Sequence, residues 1–201
     1  MTEIVVLSHI TPLGLLDDKH LGSCGKLLPG FEAKEGNNIN EPNKTGELYI
    51  KSPTVMLGYF NMSSEDENVI DEKGWLRTGD LMYYDDDRFY YVVGRVKDLI
   101  KVNGIQVSPS ELEDVILTHP SVKEVAVIGI DHPESGQVPK ALVVLEDGAD
   151  QQSISLKIKA LVIQKLSHTK QLRGGVQICA ELPRTSTGKI KRSELRKIVT
   201  S

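Results

Sequence analysis

Several features that would mark particular functions are missing from this sequence. Cysteine is nearly absent: Cys24 and Cys179 are the only two in 201 residues, far apart and without metal-ligand spacing. That pattern suits free thiols in a reducing, cytoplasmic compartment. The five histidines (His9, His20, His119, His132, His168) form no His-x-His or His-x-x-x-His pair, so their spacing suggests no metal site. No apolar run approaches the roughly 18 residues of a membrane span, and no signal-peptide pattern opens the chain. Basic charge is lacking too. Lys and Arg total 24 against 28 Asp and Glu, a net charge of −4, which argues against a nucleic-acid-binding surface. Neither internal repeats nor low-complexity tracts occur. What remains is ordinary for a globular protein, 39% hydrophobic and 26% charged, with room for one large or two small domains.

The texture changes near the middle. Up to about residue 94 the chain reads as strands and turns. Glu47–Lys51 alternates like a half-buried strand, and "RFYYVV" (Arg88–Val93) is rich in β-formers. The run Asp85-Asp86-Asp87 lacks the alternate acidic spacing, glycine and distant Glu of a calcium loop, so it reads as a solvated turn. Beyond residue 95 strands and helices alternate. Ser108, Pro109 and Glu111 form a capping-box signature, with Leu112, Val115 and Ile116 on one helical face. Val122–Ile130 and Ala141–Glu146 read as strands. Ile154, Ile158, Leu161, Val162 and Leu166 mark a helix over 153–167. A strand over 175–182 and a final helix over 192–199 complete an α+β unit. The joint lies in "GRVKD" (94–98), which residue types alone read as well as a tight turn.

Two lysines invite attention. In "LIKVNGIQV" the Asn103-Gly104 pair is a strong hairpin signal. It pairs Val102 with Ile105, Lys101 with Gln106 and Ile100 with Val107. Alternation then places the four apolar residues on a core face and Lys101 with Gln106 on the other. From geometry alone, a solvated hairpin surface is the favoured reading of that face. "TSTGKIKR" (185–192) looks like half a phosphate loop. However, Lys189 is followed by Ile190, and no glycine stands five residues before Gly188, which excludes a Walker A loop. A flexible, hydroxyl-rich segment remains, ending in a lysine that could meet an anion or could simply be a basic tail.

Taken in order, "TGELYIKSP", "GWLRTGDL", "GRVKDLIKVNGIQVSPSELE" and "PRTSTGKIKR" resemble the motifs of the adenylate-forming enzymes. These are the acyl- and aryl-CoA synthetases, the beetle luciferases and the adenylation domains of peptide synthetases. "LTHPSV", "GQVPKALVV" and "LRGGVQ" are most similar to the coumarate–CoA ligase and luciferase branch. The resemblance covers the chain from end to end, and "MTE" at its start resembles a family motif ending in Thr-Glu.

The resemblance implies a β-rich end of the large AMP-binding domain (1–94), then a small mobile α+β C-terminal domain (95–201). The phosphate loop and acyl pocket would belong to a missing N-terminal domain required for activity. It implies ATP, Mg²⁺ and CoA as cofactors and a fatty or aromatic carboxylic acid as substrate. Thr2 would touch the AMP phosphate and Glu3 would bind Mg²⁺. Asp80 and Arg95 would hold the ribose, and Lys97 would be the hinge. Lys189 would serve adenylate formation. Lys101 and Gln106, with Gly104 beside the pantetheine chain, would serve thioester formation. The implied activity is an ATP-dependent acid–CoA ligase. A catalytically silent binding module and a luciferase-type monooxygenase are the alternatives. Many relatives are peroxisomal, yet Val199-Thr200-Ser201 is not a Ser-Lys-Leu ending. Three departures from the pattern stand out: Gly94 replaces a common aspartate, Arg88 stands at a usual turn glycine, and residues 31–48 run a few residues short.

Overall fold

The computed structural model describes residues 1–5, 7–15, 17–36, 41–61, 69–149 and 151–200. They divide into two compact units, Met1–Lys97 and Asp98–Ser201.

The first unit is built on an antiparallel meander of β3 (Glu32–Glu35), β4 (Gly46–Lys51), β5 (Leu76–Tyr84) and β6 (Tyr90–Arg95). A short ribbon of β1 (His9–Ile10) and β2 (Lys26–Leu27) accompanies it. Alternation along β4 and β5 buries Leu48, Ile50, Leu76, Met82 and Tyr84 together with Ile4 and Tyr90. The shortened 31–48 stretch still forms β3, whose four residues pair with β4. Residues 37–40 of that stretch lie outside the described ones.

The strand expected over 88–93 begins two residues later, because Arg88 sits at φ 65°. That left-handed conformation belongs to a turn, where glycine is the usual occupant. The triple-Asp turn is structured rather than merely solvated. Asp85 Oδ1 accepts the amides of Asp87 and Phe89 at 3.0 and 2.9 Å, and Asp87 pairs with Lys19 and His20.

The second unit is a mixed five-stranded sheet with three helices. The hairpin β7 (Ile100–Val102)–β8 (Ile105–Val107) leads into α1 (Pro109–Leu117). A long antiparallel pair follows, β9 (Val122–His132) with β10 (Gly136–Leu145). Then α2 (Gln151–Lys165) crosses over to β11 (Val176–Ile178), parallel to β10, and α3 (Arg192–Thr200) ends the unit.

The near-unbroken apolar runs of β9 and β10 follow from burial on both faces. Val125, Val127, Ala141 and Val143 pack under Leu112, Ile116, Ile154, Ile158 and Val162 of α1 and α2. Ala126, Ile128 and Leu142 face Leu182 and Leu195, the latter on α3. A fully buried leucine such as Leu195 contributes about 1.5–3 kcal/mol.

Three local expectations fail here. Ser108 occupies the N-cap position of α1 but makes no side-chain capping bond. Glu111 turns instead to Lys170 Nζ at 2.5 Å, so a tertiary ion pair displaces the capping box. Ile105 is 51% exposed rather than in the core, because only its neighbour Val102 has a β10 residue, Gly136, opposite it. The strand over 175–182 stops at Ile178, and Leu182 packs instead into the cluster around α3.

Candidate functional site

Three of the candidate residues converge in the first unit. Asp80 and Arg95 are opposite each other on β5 and β6, and Arg95 Nε lies 2.8 Å from Asp80 Oδ1. Arg95 lies inside β6, and the compact units divide after Lys97, within the expected joint at 94–98. The strand rung and the ion pair hold it there. Burial pushes the Asp80 carboxyl up; Arg95 opposes the rise and nearby Glu3 adds to it. Asp80 also lines a cleft of about 300 Å³ with Thr78, His9, Cys24 and Met82.

Glu3 sits in a 3-10 turn, Thr2–Ile4. The Tyr59 hydroxyl donates to its carboxylate at 2.7 Å. Burial works against the ionised Glu3, but the Tyr59 hydroxyl, a backbone amide and Arg95 outweigh it and hold the group below the usual carboxylate range. Thr2 is exposed beside it. Tyr59 is a partner that sequence reading missed, since nothing in "LGYF" signals it.

Among the described residues, no cluster of three or more His, Cys, Asp or Glu could hold a metal ion. An ionised lone carboxylate fits a magnesium ion, which commonly takes one or two carboxylates and completes its shell with water and substrate phosphates.

Lys97 is exposed in the 3-10 turn Val96–Asp98, where the chain passes from one unit to the next. Beyond it, the hairpin register is the expected one: Ile100 with Val107, Lys101 with Gln106, Val102 with Ile105. Asn103 and Gly104 adopt φ 50° and 80°, as a type I′ turn requires. Lys101 and Gln106 are exposed side by side, and a Cβ on Gly104 would meet only open space.

The segment carrying Lys189 is a closed loop, not the flexible stretch expected from its hydroxyl-rich sequence. Thr185 N–H donates to the Lys189 carbonyl at 2.7 Å and Gly188 N–H to the Thr185 carbonyl at 2.9 Å. Arg184 spans the loop to the Gly188 carbonyl at 2.7 Å and holds Glu124 at 2.5 Å. Three residues past Lys189, Arg192 binds Glu113 with two bonds, donates to the Val127 carbonyl at 2.8 Å and lies 3.7 Å from Asp98. The Lys189 side chain projects from this frame, exposed.

The two lysines attach to opposite ends of one strand pair. The Lys189 loop is tied through Arg184 to Glu124, near the start of β9. Lys101 is bonded to Gln137, whose strand partner is Asp131 near the end of β9. Seven steps along the strand separate Glu124 from Asp131, about 23 Å.

The same chain resembles proteins of known kind. Residues 111–189 match the model of the AMP-binding enzyme C-terminal domain. The chain is 42% identical to 4-coumarate–CoA ligase-like 2 of Arabidopsis thaliana over 92% of its length and 33% of that protein's. It is 41% identical to luciferin 4-monooxygenase of Nipponoluciola cruciata, over 99% of its own length and 36% of the relative's. The crystal structure of the anthranilate CoA ligase AuaEII in complex with anthranoyl-AMP superposes on 99% of this chain and 38% of that one, with a TM-score of 0.85 at 30% identity. The chain thus spans about a third of the length of these relatives. Residues 111–189 thus carry the likeness to the AMP-binding enzyme C-terminal domain, and the chain as a whole is similar to part of a 4-coumarate–CoA ligase-like protein, a luciferin 4-monooxygenase and an anthranilate CoA ligase.

Proposed function

We propose that this chain serves an ATP-dependent acid–CoA ligase as its C-terminal part, working with a large N-terminal domain. The observation that carries this reading is the separation of two exposed lysine surfaces within the second unit, together with the Asp80–Arg95 pair within the first.

The chemistry has two steps. A fatty or aromatic carboxylate attacks the α-phosphorus of ATP and pyrophosphate leaves. A thiol then attacks the acyl-adenylate and AMP leaves. In the first step two anions must approach, so a fixed cation lowers the barrier. Lys189, on its closed loop, supplies that cation. Asp80 accepts from the ribose hydroxyls through the oxygen that Arg95 does not hold, and Arg95 also faces the ribose. Thr2 contacts the phosphate, and Glu3 is the carboxylate for Mg²⁺, which when bound neutralises phosphate charge. In the second step, rotation about Lys97 withdraws Lys189 and presents Lys101 and Gln106. Gly104 lets a pantetheine chain pass close to the backbone.

A silent binding module would need no two separate lysine surfaces. A luciferase-type enzyme shares the adenylation step, and identity alone does not separate it from the ligases, 41% against 42%. The Lys101 face favours the ligase, because only that reading gives it a thiol-transfer role.

The test is a chimera joining the preceding residues of a 4-coumarate–CoA ligase-like relative to this chain. Acid-dependent ATP–pyrophosphate exchange and CoA thioester formation are expected, both lost without the acid. A folded chimera that exchanges no pyrophosphate with any carboxylic acid accepted by the parent would refute the reading.

A further inference from the structure

The hairpin carrying Lys101 and Gln106 buries Ile100, Val102 and Val107 in the core, but few hydrogen bonds join it to β10. Its register with β10 is a single rung, Val102 opposite Gly136. Two further hydrogen bonds reach it from residues 135 and 137. The Asn103 N–H donates to the Ser135 carbonyl at 2.9 Å. The Lys101 N–H donates to Gln137 Oε1 at 3.1 Å. The first bond is backbone to backbone and tolerates any residue type. The second depends on the side chain at position 137, and it acts on the residue whose ammonium the thiol-transfer step uses.

The surroundings are shaped for this contact. A Cβ on Gly129 would lie 3.0 Å from Gln137 Oε1 and 3.0 Å from Ile100 Cγ2. Glycine there leaves the side-chain amide room to cross to β7. The turn preceding Gln137 is fixed as well: Ser135 is buried, and Arg173 Nη1 donates to its hydroxyl at 2.9 Å.

We infer that Gln137 is a positioning residue: its amide carbonyl pins the Lys101 backbone and so fixes the exposed face of Lys101 and Gln106, with Gly129 supplying the space. The functional half of this inference rests on the reading of that face given above. Ile100, Val102 and Val107 anchor the core face of the hairpin, so Gln137 governs local opening at the Lys101 amide rather than release of the whole hairpin. A cation that acts by preorganised electrostatics loses its effect when its backbone wanders.

The experiment has two arms. Amide hydrogen exchange is followed by NMR on the full 201-residue chain. Gln137→Leu is expected to speed exchange at Lys101 by about tenfold or more. The Ala141 and Cys179 amides, which bond to the Gly175 and Val143 carbonyls elsewhere in the sheet, should stay unchanged. Gln137→Glu keeps an acceptor and should preserve protection at Lys101. Gly129→Ala, which crowds the amide, should speed Lys101 selectively. Unchanged Lys101 exchange in Gln137→Leu, or equal acceleration at Ala141 and Cys179, overturns the inference.

In the chimera, Gln137→Leu should slow thioester formation from supplied acyl-adenylate by about 10- to 100-fold and spare pyrophosphate exchange, with recovery in Gln137→Glu. Equal loss in both half-reactions also overturns it. If Lys101→Ala itself leaves thioester formation intact, the ligase reading of the face fails, and the exchange pattern still decides whether Gln137 pins the hairpin.

Discussion

Arg192 and Glu113 meet through two hydrogen bonds of 2.8 and 2.9 Å although 79 residues separate them. The same carboxylate accepts the Val127 amide at 2.7 Å. One half-buried ion pair thus joins α1, β9 and the start of α3. Removing the arginine strands a carboxylate whose side chain is only 14% exposed. Arg192→Ala is expected to destabilise the second unit by about 3 kcal/mol. Glu113→Gln, which still accepts from Val127, should cost about 1 kcal/mol. Urea unfolding followed by NMR signals of the second unit checks the order, and a larger loss for Glu113→Gln would contradict it.

The separation of Lys101 from Lys189 predicts a division of labour. In the chimera, Lys189→Ala should lower acid-dependent pyrophosphate exchange by about 10² to 10³. It should leave thioester formation from supplied acyl-adenylate nearly intact. Lys101→Ala should do the reverse. Equal damage to both half-reactions by either substitution would reject the scheme.

His9 sets an acid limit on the first unit. Its ring lies 4.4 Å from that of Tyr90, and its Nε2 is buried without a partner. Burial pushes its pKa down to about 4, from 6.5. The unfolded chain therefore binds more protons than the folded one between those values. Stability from this group is complete above pH 6.5 and falls as pH drops towards 4, by about 2 kcal/mol after discounting for the ring's partial exposure. His9→Phe should remove that share of the pH dependence. Identical pH slopes in the two proteins, from urea midpoints at pH 7.5 and 4.5, would exclude the assignment.

Arg88 combines two opposing effects at one turn. Its φ of 65° disfavours any residue with a Cβ, whereas its guanidinium lies 4.6 Å from the Tyr84 ring centre. Arg88→Gly relieves the first and loses the second, and should change stability by less than about 0.5 kcal/mol. Arg88→Ala keeps the strain and loses the ring contact, so it should destabilise by about 0.5–1 kcal/mol. Thermal unfolding of the three proteins ranks them, and an alanine variant more stable than the glycine one would refute the account.

What could be read from the chain alone was local. The Asn103-Gly104 turn fixed the hairpin register, because few residues accept two successive positive φ values. Periodicity located α1 and α2, and apolar runs located β9 and β10. The four motifs carried the family resemblance. What the chain alone concealed was long-range. Glu111 reads as a capping residue until Lys170 arrives 59 positions later. Ile105 reads as core until its place at the hairpin end leaves it half exposed. "TSTGK" reads as a flexible tail until Arg184 and the Thr185–Lys189 bonds close it. Gln137, Arg192 and Tyr59 act on partners tens of residues away, and no local pattern encodes such a pairing. Short-range sterics and side-chain period determined the elements; only tertiary packing decided which polar groups meet, because burial removes water as the alternative partner.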